Sequence, residues 1–219
     1  MKAIKPDFRE EKKLWRHGFR AVAGLDEAGR GPLAGPVVAA AFVLTPKAAA
    51  KLKIKSAKLK IKKNIKDSKK LTARQRETWY AFLTQHPDIK WGVGIVSEKI
   101  IDKINILEAT KLAMKRAMAK LNFKPDYLLL DGNFLLSDLA ISQRAVVKGD
   151  EKIWSCAAAS VIAKVTRDRL MMKCHRRYSV YGFDQHKGYG TVAHLAAIKK
   201  HGASPIHRLS FRPLKGAIM

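Results

Sequence analysis

Cysteine is almost missing from this chain. Its two thiols, Cys156 and Cys174, form no C-x-x-C pair, which excludes a disulfide framework or zinc knuckle and leaves two reduced, packed thiols. The seven histidines show no close metal spacing, so a zinc site is not expected. Long apolar runs are missing too. The longest mainly apolar stretch, Val37 to Leu44, is strand-sized, far short of the ~20 residues that a membrane-spanning helix needs. The N-terminal MKAIKPDFREEKKLW has no apolar h-region of a secretion signal. These absences predict a soluble, cytoplasmic protein without a membrane partner. No dimer signature is present, so a monomer is expected.

Acidic residues are the third scarcity. Asp and Glu total 18 against 44 Lys and Arg, a formal charge of +26. A polyanionic partner explains such a balance, because each cation that neutralises a phosphate releases condensed counterions and adds salt-sensitive affinity. Ribosome-associated and membrane-surface proteins share this signature, so charge favours a phosphate-rich partner and leaves the activity open.

At 219 residues the chain can bury one substantial core. It reads as a single domain over residues 1–219, with a Lys-rich insertion at about 47–66 and a small C-terminal helical appendage from about residue 170. After a charged, helical N-terminal segment, Ala21 to Asp26 and Val37 to Leu44 are apolar strands around a Gly-Pro-rich turn, Gly29 to Pro36. Thr72 with Gln75 makes a capping box for a helix whose stripe is Trp79, Phe82 and Leu83. Trp91 to Val96 is the next strand. Ile106, Leu107, Thr110, Met114, Ala117 and Met118 then follow helical spacing as far as the Pro125 break. Tyr127 to Leu130 and Ala145 to Val147 are further strands. The Ala-rich run from Ala157 starts a helix reaching towards Arg177, and His194 to Lys200 is a last short one. This order predicts an α/β fold, a mixed five-stranded sheet flanked by helices.

Between Pro46 and Asp67 there are nine lysines and no acid. The pentapeptide KLKIK occurs twice, at Lys51 to Lys55 and Lys58 to Lys62. Its alternation fits a hairpin around Ser56 and Ala57, but Ala50, Ile54, Ala57, Ile61 and Ile65 also fall on helical spacing. Both states stay open, as do two roles: an arm on phosphate backbones, or a solvated basic insertion.

Four acids sit where apolar strands end: Asp26 and Glu27, Asp131, and Asp150. A carboxylate after a buried strand must be paired, hydrogen-bonded or bound to a cation. Several converging make a hard oxygen site suited to Mg²⁺ or Mn²⁺. Neighbours on a regular strand face opposite ways, so Asp26 and Glu27 share a site only if the strand ends or bulges there. Each acid taken alone also fits an ordinary cap or turn, and Asp131-Gly132-Asn133 is a good turn sequence. Phosphodiester hydrolysis explains the cluster, since two metal ions about 4 Å apart activate the attacking water and stabilise the leaving oxygen.

Three loops carry further candidates. Gly29-Arg30-Gly31 lets backbone groups approach a sugar closely, although glycine pairs are common in turns. Asp67-Ser68-Lys69-Lys70 offers a hydroxyl and ammonium groups to phosphate, or is a plain basic loop before a helix. His186-Lys187-Gly188-Tyr189-Gly190 places an aromatic between glycines, either as an exposed stacking position or as a half-buried turn tyrosine.

Together the segments GLDEAGRGPLAGPVVAAAFVL from Gly24, DSKKLTARQRE from Asp67, LLLDGN from Leu128, KGDEKIWSCAAASVIAKVTRDR from Lys148, QHKGYGT from Gln185 and HRLSF from His207 resemble type 2 ribonuclease H, ribonuclease HII. The resemblance implies a ribonuclease H-like fold and two-metal hydrolysis leaving a 5′-phosphate and a 3′-hydroxyl. It implies that Asp26 and Glu27 are the first metal-binding pair, Asp131 the third ligand and Asp150 the fourth active-site acid. It makes Gly29, Arg30 and Gly31 the loop that reads the ribose 2′-hydroxyl, Tyr189 the residue stacking on the following deoxyribose, and Ser68 and Lys69 neighbours of phosphate. The implied substrates are RNA/DNA hybrids and single ribonucleotides in duplex DNA. The lysine-rich stretch departs from the usual short connection.

Integrases, transposases and junction resolvases also place acids on such a sheet. Cutting of an all-DNA junction would favour them. A non-catalytic RNA-binding module driven by charge is a third reading, and it requires binding that ignores both metal and Asp131→Asn.

Overall fold

The structure is a computed structural model that describes residues 5–58, 65 and 68–215. In chain order its elements are α1 (Arg9–Arg16), β1 (Val22–Ala28), β2 (Val37–Leu44), α2 (Pro46–Lys58), α3 (Ala73–Thr84), β3 (Lys90–Val96), α4 (Glu98–Ile104), α5 (Ile106–Ala119), β4 (Tyr127–Asp131), β5 (Ser142–Val146), α6 (Gly149–Lys152), α7 (Trp154–Arg177), α8 (Phe183–His186) and α9 (Val192–His201). Short 3₁₀ turns lie at Ser68–Lys70 and Ser179–Tyr181. Among the described residues no helix is long and apolar enough to cross a membrane.

The five strands form one mixed sheet in the order β3-β2-β1-β4-β5. The pairs β1–β2 and β2–β3 are antiparallel, while β1–β4 and β4–β5 are parallel. Every residue of β2 is buried, because helices cover both faces, as parallel-containing sheets require. Alternation sorts its side chains. Ala40, Phe42 and Leu44 pack with α7, α3 and α2, whereas Ala39, Ala41 and Val43 pack with Ala109, Ala113, Met114 and Ala117 of α5.

Small residues let these helices lie close. A side chain at Gly94 of β3 would meet the Ala113 carbonyl oxygen of α5 at 1.9 Å, and one at Gly24 of β1 would meet the Ser155 backbone of α7 at 2.3 Å. The Ala-rich face of α7 therefore sits directly on β1, the strand that carries Asp26.

The expected strands are all present, with shifted ends. β1 continues two residues past Asp26, and β5 begins at Ser142 rather than Ala145. The Thr72–Gln75 capping box forms in both directions. Helix α4 carried no clear sequence signal: it has seven residues and is cut from α5 by Asn105, whose φ of 66° breaks the path and whose side chain caps α5 at Leu107 and Glu108. Of the two states open for the Lys-rich segment, Pro46–Lys58 is helical. The buried positions there are Ala48, Ala49 and Leu52, joined by Ile65, while Ala50 of the expected stripe is exposed. The second KLKIK falls almost wholly outside the described residues.

Helix α1 is clamped to the start of α7. Glu11 is fully buried, and its Oε1 accepts from the Ser155 amide at 2.8 Å. Asp7 adds backbone bonds to Lys152 and Trp154. Burial, with Oε2 lacking a partner, pushes the Glu11 carboxyl up to about 7.

Two outcomes follow. Between the ordinary value of 4.5 and about 7 the folded protein holds a proton on Glu11 that the unfolded chain has released. Stability is therefore full below that window and falls as pH rises through it, by on the order of 3 kcal/mol. Glu11→Gln keeps the acceptor and should flatten this part of the melting-temperature profile. Gly94→Ala should destabilise by about 2 kcal/mol or more through overpacking against α5, read by denaturant unfolding; an unchanged midpoint would contradict the close packing.

Candidate active site

Parallel pairing of β1 with β4 sets Leu25 beside Leu130. The next residues along each strand, Asp26 and Asp131, therefore emerge side by side at the strands' carboxyl ends, where open α/β sheets gather ligands. Asp150 arrives from α6, just after β5. Its turn begins at Lys148 in the left-handed region, and the Gly149 amide donates to Asp131 Oδ1 at 2.7 Å. Asp26, Asp131 and Asp150 each present a carboxylate oxygen within 4.8 Å of the other two.

Three carboxylates this close repel one another. Burial first, then the charges of Glu27, Asp131 and Asp150, raises Asp26 well above the ordinary carboxylate range. Among the described residues no Lys or Arg lies within ion-pair distance of Asp26 or Asp131. A largely buried, all-oxygen donor set fits a hard divalent ion such as Mg²⁺ or Mn²⁺.

Glu27 stands differently. β1 neither ends nor bulges at the acid pair: its register with β2 runs unbroken through Asp26↔Ala40, Glu27↔Ala39 and Ala28↔Val38. Glu27 lies outside the three-carboxylate cluster. Its Oε1 accepts from Arg30 Nη1 at 3.3 Å, and its Oε2 is buried without a partner. Burial raises its carboxyl, an effect that Arg30 partly offsets.

The loop residues come together. Asp26, Glu27, Gly29, Arg30, Gly31, Ser68, Lys69 and Tyr189 line one cleft of about 440 Å³. Tyr189 is exposed, with its ring 3.8 Å from where a Gly31 side chain would begin. The Ser68 turn is pinned by Arg76, which donates to the Ser68 and Leu71 carbonyls. Asp67 lies outside the described residues.

Several residues in and under this cleft were not anticipated. Ser160 and Lys164, four apart on α7, line it; Ser160 shares a hydrogen bond with Ser68 at 2.8 Å and Lys164 pairs with Asp168 at 2.7 Å. Their helical spacing was available in the sequence, hidden inside an Ala-rich run. Beneath the Gly-Arg-Gly loop lie Arg167 and Arg208, both fully buried. Arg167 donates to the carbonyls of Ala34, Pro36 and Lys187, and Arg208 to those of Gly29, Arg30 and Gly35.

Three histidines buttress Tyr189. The Tyr189 carbonyl requires His194 Nδ1, 2.9 Å away, to carry a proton, so His194 Nε2 accepts from His207 Nε2 at 3.0 Å. His207 Nδ1 then accepts from the Ser204 amide and hydroxyl, both at 2.8 Å. His186 stacks on His194, with ring centroids 4.4 Å apart. Burial holds His207 down at about 4, so this chain of bonds is neutral.

Comparison with known proteins bears on the family and the fold. The family model for ribonuclease HII matches residues 23–213. The chain is 49% identical over 215 residues to a ribonuclease HII of Chlamydia muridarum, covering 96% of this chain and 93% of that one. It is 50% identical over 201 residues to a ribonuclease HII of Acetivibrio thermocellus, covering 92% and 73%. The crystal structure of ribonuclease H2 from Pyrococcus horikoshii superposes with a TM-score of 0.69 at 30% identity, covering 89% of this chain and 95% of that one.

Asp131→Asn removes one of the repelling charges while keeping the Oδ1 acceptor for Gly149. In chelator the variant should melt no lower than the parent. In Mn²⁺ it should lose most of the metal-induced rise in melting temperature, and calorimetry should show Mn²⁺ binding weakened by about tenfold or more. Equal Mn²⁺ affinity in the two proteins would remove Asp131 from the metal site.

Proposed function

The chain belongs to the ribonuclease HII family and is accordingly a divalent-metal-dependent ribonuclease, a hydrolase; from that premise we propose that it hydrolyses the RNA strand of RNA/DNA hybrids and cuts on the 5′ side of single ribonucleotides embedded in duplex DNA. One observation carries the proposal: the cleft that contains Asp26 is lined both by Gly29-Arg30-Gly31 and by Tyr189, whose ring lies beside Gly31. Tyr189 offers a flat face to a sugar or base, and the loop offers backbone groups at close range to a 2′-hydroxyl. Such a pair reads a ribose against a following deoxyribose, which neither a charge-driven binding module nor a DNA resolvase needs.

In this reading Asp26, Glu27, Asp131 and Asp150 hold two Mg²⁺ or Mn²⁺ ions. The buried, unpartnered Oε2 of Glu27 supports its membership, since a bound cation would satisfy it. When bound, the ions supply an activated water and stabilisation of the leaving 3′ oxygen, leaving a 5′-phosphate and a 3′-hydroxyl. The chain's own residues do the rest. Ser68, Lys69, Ser160 and Lys164 line the same cleft and present hydroxyls and ammonium groups to the phosphates. Arg30, paired with Glu27, holds that carboxylate towards its ionised form. The +26 charge draws the duplex in and makes affinity steeply salt-dependent. We take the protein to act as a monomer in the cytoplasm.

The test is cleavage of a DNA duplex carrying one ribonucleotide, beside an RNA/DNA hybrid and an all-DNA control, in Mg²⁺ and in Mn²⁺. Cutting is expected 5′ of the ribonucleotide and within the hybrid, absent from all-DNA duplex, and lost in chelator and in Asp131→Asn. Cleavage of the all-DNA duplex, or no cleavage in either metal, would overturn the proposal.

A further inference from the structure

Arg208 is a cation buried with no carboxylate in ion-pair range among the described residues, a placement that is costly unless its donors are fully used. They are spent on one loop. Nη2 donates to Gly29 O at 2.6 Å and Gly35 O at 2.8 Å, Nη1 to Arg30 O at 2.9 Å, and Nε to Gly35 O at 2.9 Å. In a trans peptide the carbonyl of one residue and the amide of the next point in opposite directions. With the Gly29 and Arg30 carbonyls turned down onto Arg208, the amides of Arg30 and Gly31 turn away from it, towards the cleft that both residues line. Neither amide has a hydrogen-bond partner among the described residues. Arg208 thus leaves two free donors facing the position where a sugar hydroxyl would lie.

The neighbouring residue braces Tyr189. His207 reaches the Tyr189 carbonyl through His194. The same segment is laced to the loop by Arg208 N to Leu33 O and Gly35 N to Ile206 O, each at 2.8 Å. Beyond it, Asp102 of α4 accepts from Leu209 N, Ser210 N and Ser210 Oγ, which anchors the segment to the body of the fold.

We propose that the adjacent residues His207 and Arg208 are positioning residues that set the gap and the amide direction of the ribose reader, and so govern how strictly the enzyme distinguishes a 2′-hydroxyl from other 2′ groups. The proposal rests on the reading of Gly29-Arg30-Gly31 and Tyr189 as the sugar-recognition pair. Arg208 itself touches no substrate. Lysine in its place keeps the charge but cannot span three carbonyls in a planar fork, so the loop's carbonyls are freed to turn.

The experiment compares parent, Arg208→Lys and Asp102→Ala on two duplexes that differ only in a single ribonucleotide or a 2′-fluoro nucleotide at the same place. Single-turnover cleavage rates, duplex Kd and melting temperature are measured for each. Arg208→Lys should cut the ribonucleotide about a hundredfold more slowly, the scale of a reacting geometry misplaced by an ångström. Its ratio of ribo to 2′-fluoro rates should shrink towards one, and Kd should stay within about threefold because backbone contacts dominate affinity. A merely structural role would lower both rates together, and an unchanged ratio in folded Arg208→Lys overturns the proposal. If that variant does not fold, Asp102→Ala decides: a smaller shrinkage of the ratio supports the proposal, and an unchanged ratio overturns it. A parent enzyme that cuts both duplexes equally would instead remove the sugar-recognition reading, and the proposal with it.

Discussion

Repulsion among Asp26, Asp131 and Asp150 is the constraint around which the rest of the molecule is arranged. Left to themselves, three carboxylates within 4.8 Å of one another would move apart or take up protons. They cannot move apart, because two sit on adjacent parallel strands whose register is fixed by the sheet, and the third sits in a turn bonded to the second; the Asp26 carboxyl is raised in consequence. The cost is spread over the core. The short side chains of β1, β2 and α7, and Gly24 under the Ser155 backbone, give a contact too close to slide. A site that must hold like charges together in the absence of metal needs a scaffold of this stiffness.

The second electrostatic arrangement mirrors the first. Arg167 and Arg208 are cations stored under a loop, paired with no acid among the described residues and bonded instead to carbonyl oxygens. At the sheet's end the protein gathers negative charge; below the loop it keeps positive charge that fixes the peptide planes above it. The two regions meet at Glu27 and Arg30, an ion pair that links the strand of the acids to the turn of the loop.

Much of this was legible in the sequence, and the limits have a physical pattern. α3 with its capping box and α5 announce themselves because burial of one face leaves a period in the side chains, and β2 and α7 do so as an unbroken apolar run and an Ala-rich run. The acids Asp26, Asp131 and Asp150 could be read as a cluster because each follows an apolar strand. Arg167 and Arg208 could not be assigned a role, since their partners are backbone carbonyls, which every residue has and no pattern marks. The relation of Glu27 to Asp26 turned on whether β1 bulges, a question of register that local composition cannot answer. The lysine-rich segment stayed open because the alternation in KLKIK and a helical stripe coexist in the same letters; Leu52 and Ile65, buried beside Trp79, show which of its residues the core takes up.

Arg208 binds carbonyls some 173 to 179 positions earlier in the chain. Contacts that distant are the last to become possible during synthesis, when the chain emerges at about 5–20 residues per second from its amino end. The sheet and the acid cluster can assemble once Asp150 and α7 are out, but the turn from Gly29 to Gly35 stays unlocked until residue 208 has followed. A nascent chain of this composition, strongly cationic and growing beside ribosomal and messenger RNA, therefore carries that turn unlocked until residue 208 has been made.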